Sequence, residues 1–502
     1  MKTILNYLET TAEKFPDKTA VIDENGSCTY KELLENSRRV GSALTEIISP
    51  RTPVAVFMEK GIPALQAFLG TVLAGGFYSM QNPEFPENRL MQIQKVLAPA
   101  AILADMTTYE RAKAVFTQTP VYRIEDLVRA EIRYPRLAAI RWEMTDTDPL
   151  YVNFTSGSTG IPKGVAVSHR SVRDFMDCFT GLFGIGPEDV IGNQAPFDFD
   201  VSVKDIYSAM KTGATLVIIP KRLFSNPAAL LDFICDHQVT TMIWAVSALG
   251  LICTFHGLEY RTPCTVNKVL FSGEVMPIRH LKTWMEHLPD AMFVNLYGPT
   301  EITCNCTYHI IDRTHSYEKG IPIGKAFPNE RVFLLDDENR EIREADKIGE
   351  ICVRGTALAL GYYNAPSQTA RHFVQNPLNC HWPEHIYRTG DLGSYNVSGE
   401  LYFRGRKDFQ IKYMGHRIEL EEIEKAIHSV SGVEQCCCVF DGKKLYAFYS
   451  GKPDERLLHR ILQQKLPVFM VPGKFIRLER LPLTPNGKTD RKALMAQTGG
   501  SL

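Results

Sequence analysis

Ten consecutive residues, Thr155 to Gly164 (TSGSTGIPKG), gather four hydroxyls, three glycines and one lysine. Glycine accepts positive φ and lets other groups approach the backbone, so at Gly157, Gly160 and Gly164 successive amide N–H groups can turn toward one anion. Thr155, Ser156, Ser158 and Thr159 add hydroxyl donors, and Lys163 adds a mobile positive charge. Such a loop suits a polyphosphate. It is not the P-loop, which needs Gly, four residues and then Gly-Lys-Ser/Thr ahead of a helix. The single Gly-Lys-Thr, at 487–489, lacks the upstream glycine. The dinucleotide fingerprint is missing as well. A plain Ser/Thr/Gly turn is the competing explanation, but ten residues in this order exceed what a turn requires.

The segment resembles the signature of the adenylate-forming superfamily, which contains acyl-CoA synthetases, luciferases and the adenylation domains of nonribosomal peptide synthetases. AGGFYSMQNPEFPENRL (74–90), NLYGPTE (295–301), GEICVRGTALALGYYN (349–364), YRTGDLGSYNVSGELYFRGRKDFQIK (387–412), GHRIELEEIE (415–424) and NGKTDRKAL (486–494) follow in the family's order. The run GRKDFQIKYMGHRIELEEIE is similar to D-alanine:D-alanyl carrier protein ligases and to stand-alone peptide-synthetase adenylation domains. The resemblance implies a two-step reaction: an acid is adenylated by ATP with release of pyrophosphate, and the acyl group then passes to a thiol.

Roles follow from the resemblance, residue by residue. Thr155 to Gly164 would hold the departing phosphates, Tyr297 would stack on adenine beside Asn295, and Thr300 would contact the α-phosphate. Glu301 would hold Mg²⁺, a hard cation that prefers oxygen ligands. Asp391 would bind the ribose hydroxyls, with Arg406 also at the nucleotide. Lys488, which in isolation is one exposed lysine in a Pro-Asn-Gly turn, would bridge carboxylate and α-phosphate where negative charge grows in the transition state. Asp408 would be a hinge about which the C-terminal part rotates, bringing Gly415 to the path of a pantetheine thiol.

QAPFDFDVSVKDIYSAM (194–210) resembles the family's substrate-pocket motif. Asp200 stands where amino-acid-activating members keep a carboxylate for the substrate ammonium. A carboxylate among apolar neighbours is costly without a cation, which favours an ammonium-bearing substrate over a fatty or aryl acid. Lys204 and Ser272 depart from D-alanine ligases, and Lys204 points to an acidic side chain. On a helix, however, Asp200 and Lys204 stand one turn apart and can pair with each other instead. Val201, Leu270, Leu296, Cys304 and Asn305 complete the expected lining, with Ile243 or Trp244. Two nearby cysteines, Cys304 and Cys306, make a poor zinc site. YSMQN (78–82) departs from the family pattern and reads as drift away from the chemistry.

These groups need a scaffold. Apolar runs such as TPVAVFM, ATLVIIP, TTMIWAV and NKVLFSG alternate with amphipathic stretches up to about residue 400, which predicts α/β architecture with mainly parallel strands. After about residue 408 a helix, the run QCCCVF and further short elements predict a small α+β unit. The expected domains are an N-terminal adenylation core, 1–407, and a mobile C-terminal domain, 408–502. Of 502 residues, 44% are hydrophobic and 23% charged, and 56 Lys plus Arg nearly balance 57 Asp plus Glu. No net field draws the chain to nucleic acid or an anionic membrane. No apolar run reaches the roughly 18 to 20 residues of a spanning helix. Twelve cysteines without a C-x-x-C pair, behind an N-terminus without an apolar signal region, read as free thiols in a reducing cytoplasm.

The expected enzyme is thus an ATP- and Mg²⁺-dependent ligase for a small or acidic amino acid, with a separate phosphopantetheinylated carrier protein as partner. An acyl- or aryl-CoA ligase is the alternative within enzymes, and Asp200 argues against it. A non-catalytic nucleotide- or acyl-adenylate-binding protein is the alternative outside them. Retention of Lys163, Glu301, Asp391 and Lys488 together argues against that.

Overall fold

The computed structural model describes residues 3–157, 160–484 and 489–498. Two compact units divide the chain: Met1–Asn82, Pro99–Asn153 and Val165–Lys407 form one, and Pro83–Ala98, Phe154–Gly164 and Asp408–Leu502 form the other. The glycine-rich segment therefore clusters with the C-terminal residues. Among the described residues no helix is long and apolar enough to cross a membrane.

In the first unit a nine-stranded sheet has a parallel centre. Strands Met292–Tyr297, Lys268–Ser272, Thr241–Ala245, Val190–Asn193, Thr215–Ile218 and Thr19–Asp23 lie side by side in that order, with antiparallel strands at both edges. Central parallel strands are covered on both faces, so they read as continuous apolar runs whose alternate residues feed different cores. Ile243, Leu270 and Val294 are register partners and enter the larger core. Their neighbours Met242, Trp244, Val269, Phe271 and Phe293 enter a second core.

A second sheet runs through Pro53–Phe57, Phe77–Gln81 and Ala101–Ala104, again parallel, which bears out the α/β reading. The reading of parallel strands up to residue 400 stops short of the truth for residues 330–406. There, strands Glu330–Leu335, Gly349–Gly355, His385–Tyr395 and Leu401–Arg406 form an antiparallel sheet. The connection 396–400 is too short to hold the crossover helix that parallel pairing demands.

Helix Val201–Thr212 is the element that presents the substrate motif. It begins at Asp200 and ends at Gly213, whose φ of 83° is the left-handed cap that glycine adopts without a Cβ penalty. Every residue from Val201 to Met210 is buried, so its polar members must find partners inside the protein.

In the second unit, hairpin Gln410–Tyr413/His416–Glu419 leads into helix Leu420–His428 and a three-stranded sheet. Met414 and Gly415 alone close the hairpin, with φ of 52° and 80°, the type I′ pattern that matches strand twist. Gly415 thus has a local conformational reason. Cys436 and Cys438 face one core of this unit and Cys437 faces another, as a packed strand requires.

Candidate active site

Within the second unit the glycine-rich segment is held by carboxylates. The Gly157 amide donates to Glu422 Oε2 at 3.0 Å, and Lys163 Nζ lies 3.2 Å from Glu419 Oε1. Ser156 Oγ donates to the Arg417 carbonyl and accepts from the Glu419 amide. Glu422 also pairs with Arg89, and both side chains are nearly sealed from solvent. A Cβ at Gly157 would lie 2.0 Å from the Ile161 carbonyl oxygen, so the bend admits only glycine. The Thr155 hydroxyl is buried without a hydrogen-bond partner. An amide, a lysine and a hydroxyl thus face negative charge or none, the donor set an anion needs. Ser158, Thr159 and Lys488 lie outside the described residues.

The expected nucleotide residues lie on four elements of the first unit. Asp391 and Arg406 are direct cross-strand partners and form an ion pair. Asp391 Oδ2 accepts from the Tyr297 hydroxyl at 2.6 Å, and burial pushes that phenol well above its ordinary range. Phe403 lies 6.4 Å from the Tyr297 ring, centroid to centroid. The Asn295 side chain donates to the Pro322 carbonyl at 2.9 Å. Thr300 and Glu301 form a short 3₁₀ turn after Tyr297, and Glu301 has no exposed surface. Its Oε1 accepts from Tyr362 Oη at 2.6 Å.

The pocket residues converge from helix, strand and loop. Lys204, with 0% exposure, donates to Asn305 Oδ1 at 2.7 Å and lies 3.4 Å from Ser272 Oγ. Among the described residues it makes no ion pair with Asp200, although the two are one helical turn apart. Burial lowers its pKa and outweighs the charges of Asp200 and Asp205, which raise it. Asp205 is itself pushed up to about 7 by burial. Asp200 is buried as well, and its carbonyl accepts from Cys304 Sγ at 3.1 Å. Val201, Leu270 and Leu296 are buried as well. The turn carrying Cys304 and Asn305 is strained, with φ of 51° at Thr303 and 75° at Cys304. It passes so close to Gly298 that a Cβ there would sit 2.5 Å from Asn305 Cα.

Residues 8–363 match the family model of the AMP-binding enzyme, and residues 422–488 match that of the AMP-binding enzyme C-terminal domain. The chain belongs to this family. Zwittermicin A synthase ZmaJ of Bacillus cereus is 33% identical over 98% of this chain and 95% of its own length. Tyrocidine synthase 1 of Brevibacillus parabrevis is 31% identical over 98% of this chain, which spans only 45% of that protein. Among solved structures, holo-PA1221, a nonribosomal peptide synthetase protein containing adenylation and PCP domains, has a TM-score of 0.86 at 26% identity, covering 99% of this chain and 84% of that one. IdnL1 has a TM-score of 0.83 at 29% identity, covering 96% and 98%. This AMP-binding enzyme is therefore an adenylate-forming ligase of the peptide-synthetase adenylation type.

Several residues that touch the expected site residues of this AMP-binding enzyme are not legible in its sequence. Tyr362, Tyr387 and Phe403 sit in matched segments but join the site through strand pairing that spacing does not reveal. Glu419 and Glu422 lie in the run GHRIELEEIE, whose spacing does not reveal that they bond to the glycine-rich segment. Tyr78 of YSMQN is not remote, since its hydroxyl lies 2.8 Å from that of Tyr207 on the pocket helix. Ile243 shares its core with Leu270, whereas Trp244 faces the other core and donates to the Gly192 carbonyl.

Proposed function

We propose that this enzyme activates an amino acid with an acidic side chain as its aminoacyl adenylate and transfers it to the phosphopantetheine thiol of a carrier protein. One observation carries the substrate reading. Lys204 Nζ is sealed inside the protein, bonded to the neutral groups Asn305 and Ser272 and not to a carboxylate. A buried charge demands compensation, and a substrate carboxylate supplies it. Asp200, one turn earlier, is the counter-charge for the substrate α-ammonium. The pocket thus offers charges of both signs to a molecule that carries both.

In the first step a substrate carboxylate oxygen bonds to the α-phosphorus while the bond to the bridging oxygen breaks, and pyrophosphate leaves with that electron pair. Lys488 and Thr300 would steady the oxygens at the reacting phosphorus. Lys163, Ser156, Thr155 and the Gly157 amide would hold the leaving phosphates. Asp391 and Arg406 would orient the ribose, with Tyr297 and Phe403 at the base. A buried carboxylate at Glu301 suits Mg²⁺, which takes one or two carboxylates together with substrate phosphates. Bound there, the ion would neutralise charge on the phosphoryl oxygens. In the second step the thiol attacks the acyl carbon and AMP departs, with Asp408 as hinge and Gly415 beside the thiol's path. A reducing compartment suits both the thiol partner and the enzyme's own cysteines.

ATP–pyrophosphate exchange across acidic, amide, small, aryl and fatty acids tests the proposal. Glutamate or aspartate is expected to give the strongest exchange. Exchange with aryl or fatty acids alone would remove the role of Asp200, and exchange with small amino acids alone would remove that of Lys204.

A further inference from the structure

Glu301 is held by more than its own turn. The segment Ala357–Tyr362 is stitched to Glu301–Thr303 at three points: the Ala359 amide donates to the Glu301 carbonyl at 2.9 Å, Thr303 Oγ1 donates to the Ala357 carbonyl at 2.7 Å, and Tyr362 Oη donates to Glu301 Oε1 at 2.6 Å. Only the third reaches the carboxylate.

The tyrosine has little freedom to be elsewhere. Its short strand, Gly361–Tyr362, pairs antiparallel with Lys163–Ser168, placing Tyr362 opposite Val165. Gly361 takes φ of 122°, and a Cβ there would lie 2.5 Å from Thr369 Cγ2, so the chain can pass only as glycine. The Tyr362 amide donates to Thr369 Oγ1 at 2.9 Å. Phe373 and His372 pack edge-on against the ring, each 5.9 Å away. Behind it, Tyr387 Oη lies 3.4 Å from Tyr362 Oη. Tyr387 and Asp391 are both buried on strand His385–Tyr395, so one strand backs both the carboxylate at 301 and the one at 391.

We propose that Tyr362 is a positioning residue for the cation-binding carboxylate: its phenolic O–H fixes one oxygen of Glu301 and so presets the orientation in which the carboxylate meets Mg²⁺ and the phosphates. This rests on the reading of Glu301 as the cation ligand. A ligand whose rotamer is fixed before the ion arrives loses less freedom on binding, and removing such an outer partner typically costs about 10- to 100-fold in metal affinity.

Binding to the full chain tests the idea without turnover. Mn²⁺ would be titrated by electron paramagnetic resonance in the presence of ATP, with ATP binding in EDTA measured by calorimetry and folding by thermal melting. Tyr362→Phe is expected to raise the half-saturating cation concentration about 10- to 100-fold while ATP binding in EDTA and the melt stay at the parent values. A folded Tyr362→Phe chain with parent cation affinity, alongside a Glu301→Gln chain that has lost it, overturns the inference and leaves Glu301 as the ligand. A Glu301→Gln chain with parent cation affinity removes the reading of Glu301, and the inference with it. If Tyr362→Phe does not fold, Tyr387→Phe carries the same test: a smaller shift in the same direction supports the positioning chain, and none overturns it.

Discussion

A lysine without exposed surface and without a carboxylate on its ammonium is the most telling residue of this enzyme. Burial holds Lys204 below the ordinary lysine range, so the folded chain binds that proton less tightly than the unfolded chain does. The resulting penalty is fully present below the folded pKa and is relieved as pH rises toward the ordinary value of 10.5. Stability of the free enzyme should therefore increase with pH through that window. Affinity for an acidic amino acid, which needs the ammonium form, should decrease through it. Denaturant melts and calorimetric binding at matched pH values check the two opposite slopes. Lys204→Met should raise the unfolding midpoint and reduce exchange with acidic amino acids by about 30-fold or more, since removing one partner of a buried charge pair costs roughly 2 to 5 kcal/mol. A parent exchange profile for Lys204→Met would contradict the acidic-substrate reading.

At the scale of elements, the glycine-rich segment and the turn into helix Leu420–His428 share their hydrogen bonds. Lys163 and the Gly157 amide are occupied by Glu419 and Glu422, the same donors the triphosphate is proposed to use. Glu419→Gln weakens the competitor for Lys163 and should lower the apparent KM for ATP in initial-rate exchange assays. An unchanged KM would speak against Lys163 as a phosphate ligand. Gly157→Ala forces a methyl into the Ile161 carbonyl oxygen and should abolish exchange while the rest of the chain stays folded. Circular dichroism and exchange on the same sample separate the two effects.

For the whole molecule, adjacent residues on one central strand answer to different cores. Leu270 enters the core shared with the site and Phe271 the core on the other side. Leu270→Ala should cost about 2 to 5 kcal/mol and Phe271→Ala about 3 to 5 kcal/mol of stability, measured by denaturant unfolding. Only Leu270→Ala should change which acids support exchange. The last junction between the two compact units along the chain falls between Lys407 and Asp408, where a hinge is proposed. Asp408→Pro removes an amide and a flexible φ, and should slow thiol transfer more than adenylation in single-turnover assays. Equal effects on both steps would argue against a hinge there.

The α/β architecture was legible in the sequence because it depends on hydrophobic alternation, and membership of an adenylate-forming family was legible through the resemblance of its motifs and their order. Asp391 and Glu301 could be singled out through the segments that contain them, and both are buried and hydrogen-bonded in the fold. What spacing could not decide was which of two neighbours faces which core, and whether Lys204 turns toward Asp200 or away. That Ile243 and Trp244 enter different cores, that Lys204 bonds to Asn305 and Ser272 rather than to Asp200, and that Tyr362 donates to Glu301 were decided only by strand register and packing between segments far apart in sequence. A one-residue step along a strand reverses the face, and a lysine's long stem reaches partners on several elements. Both choices are made by the tertiary fold.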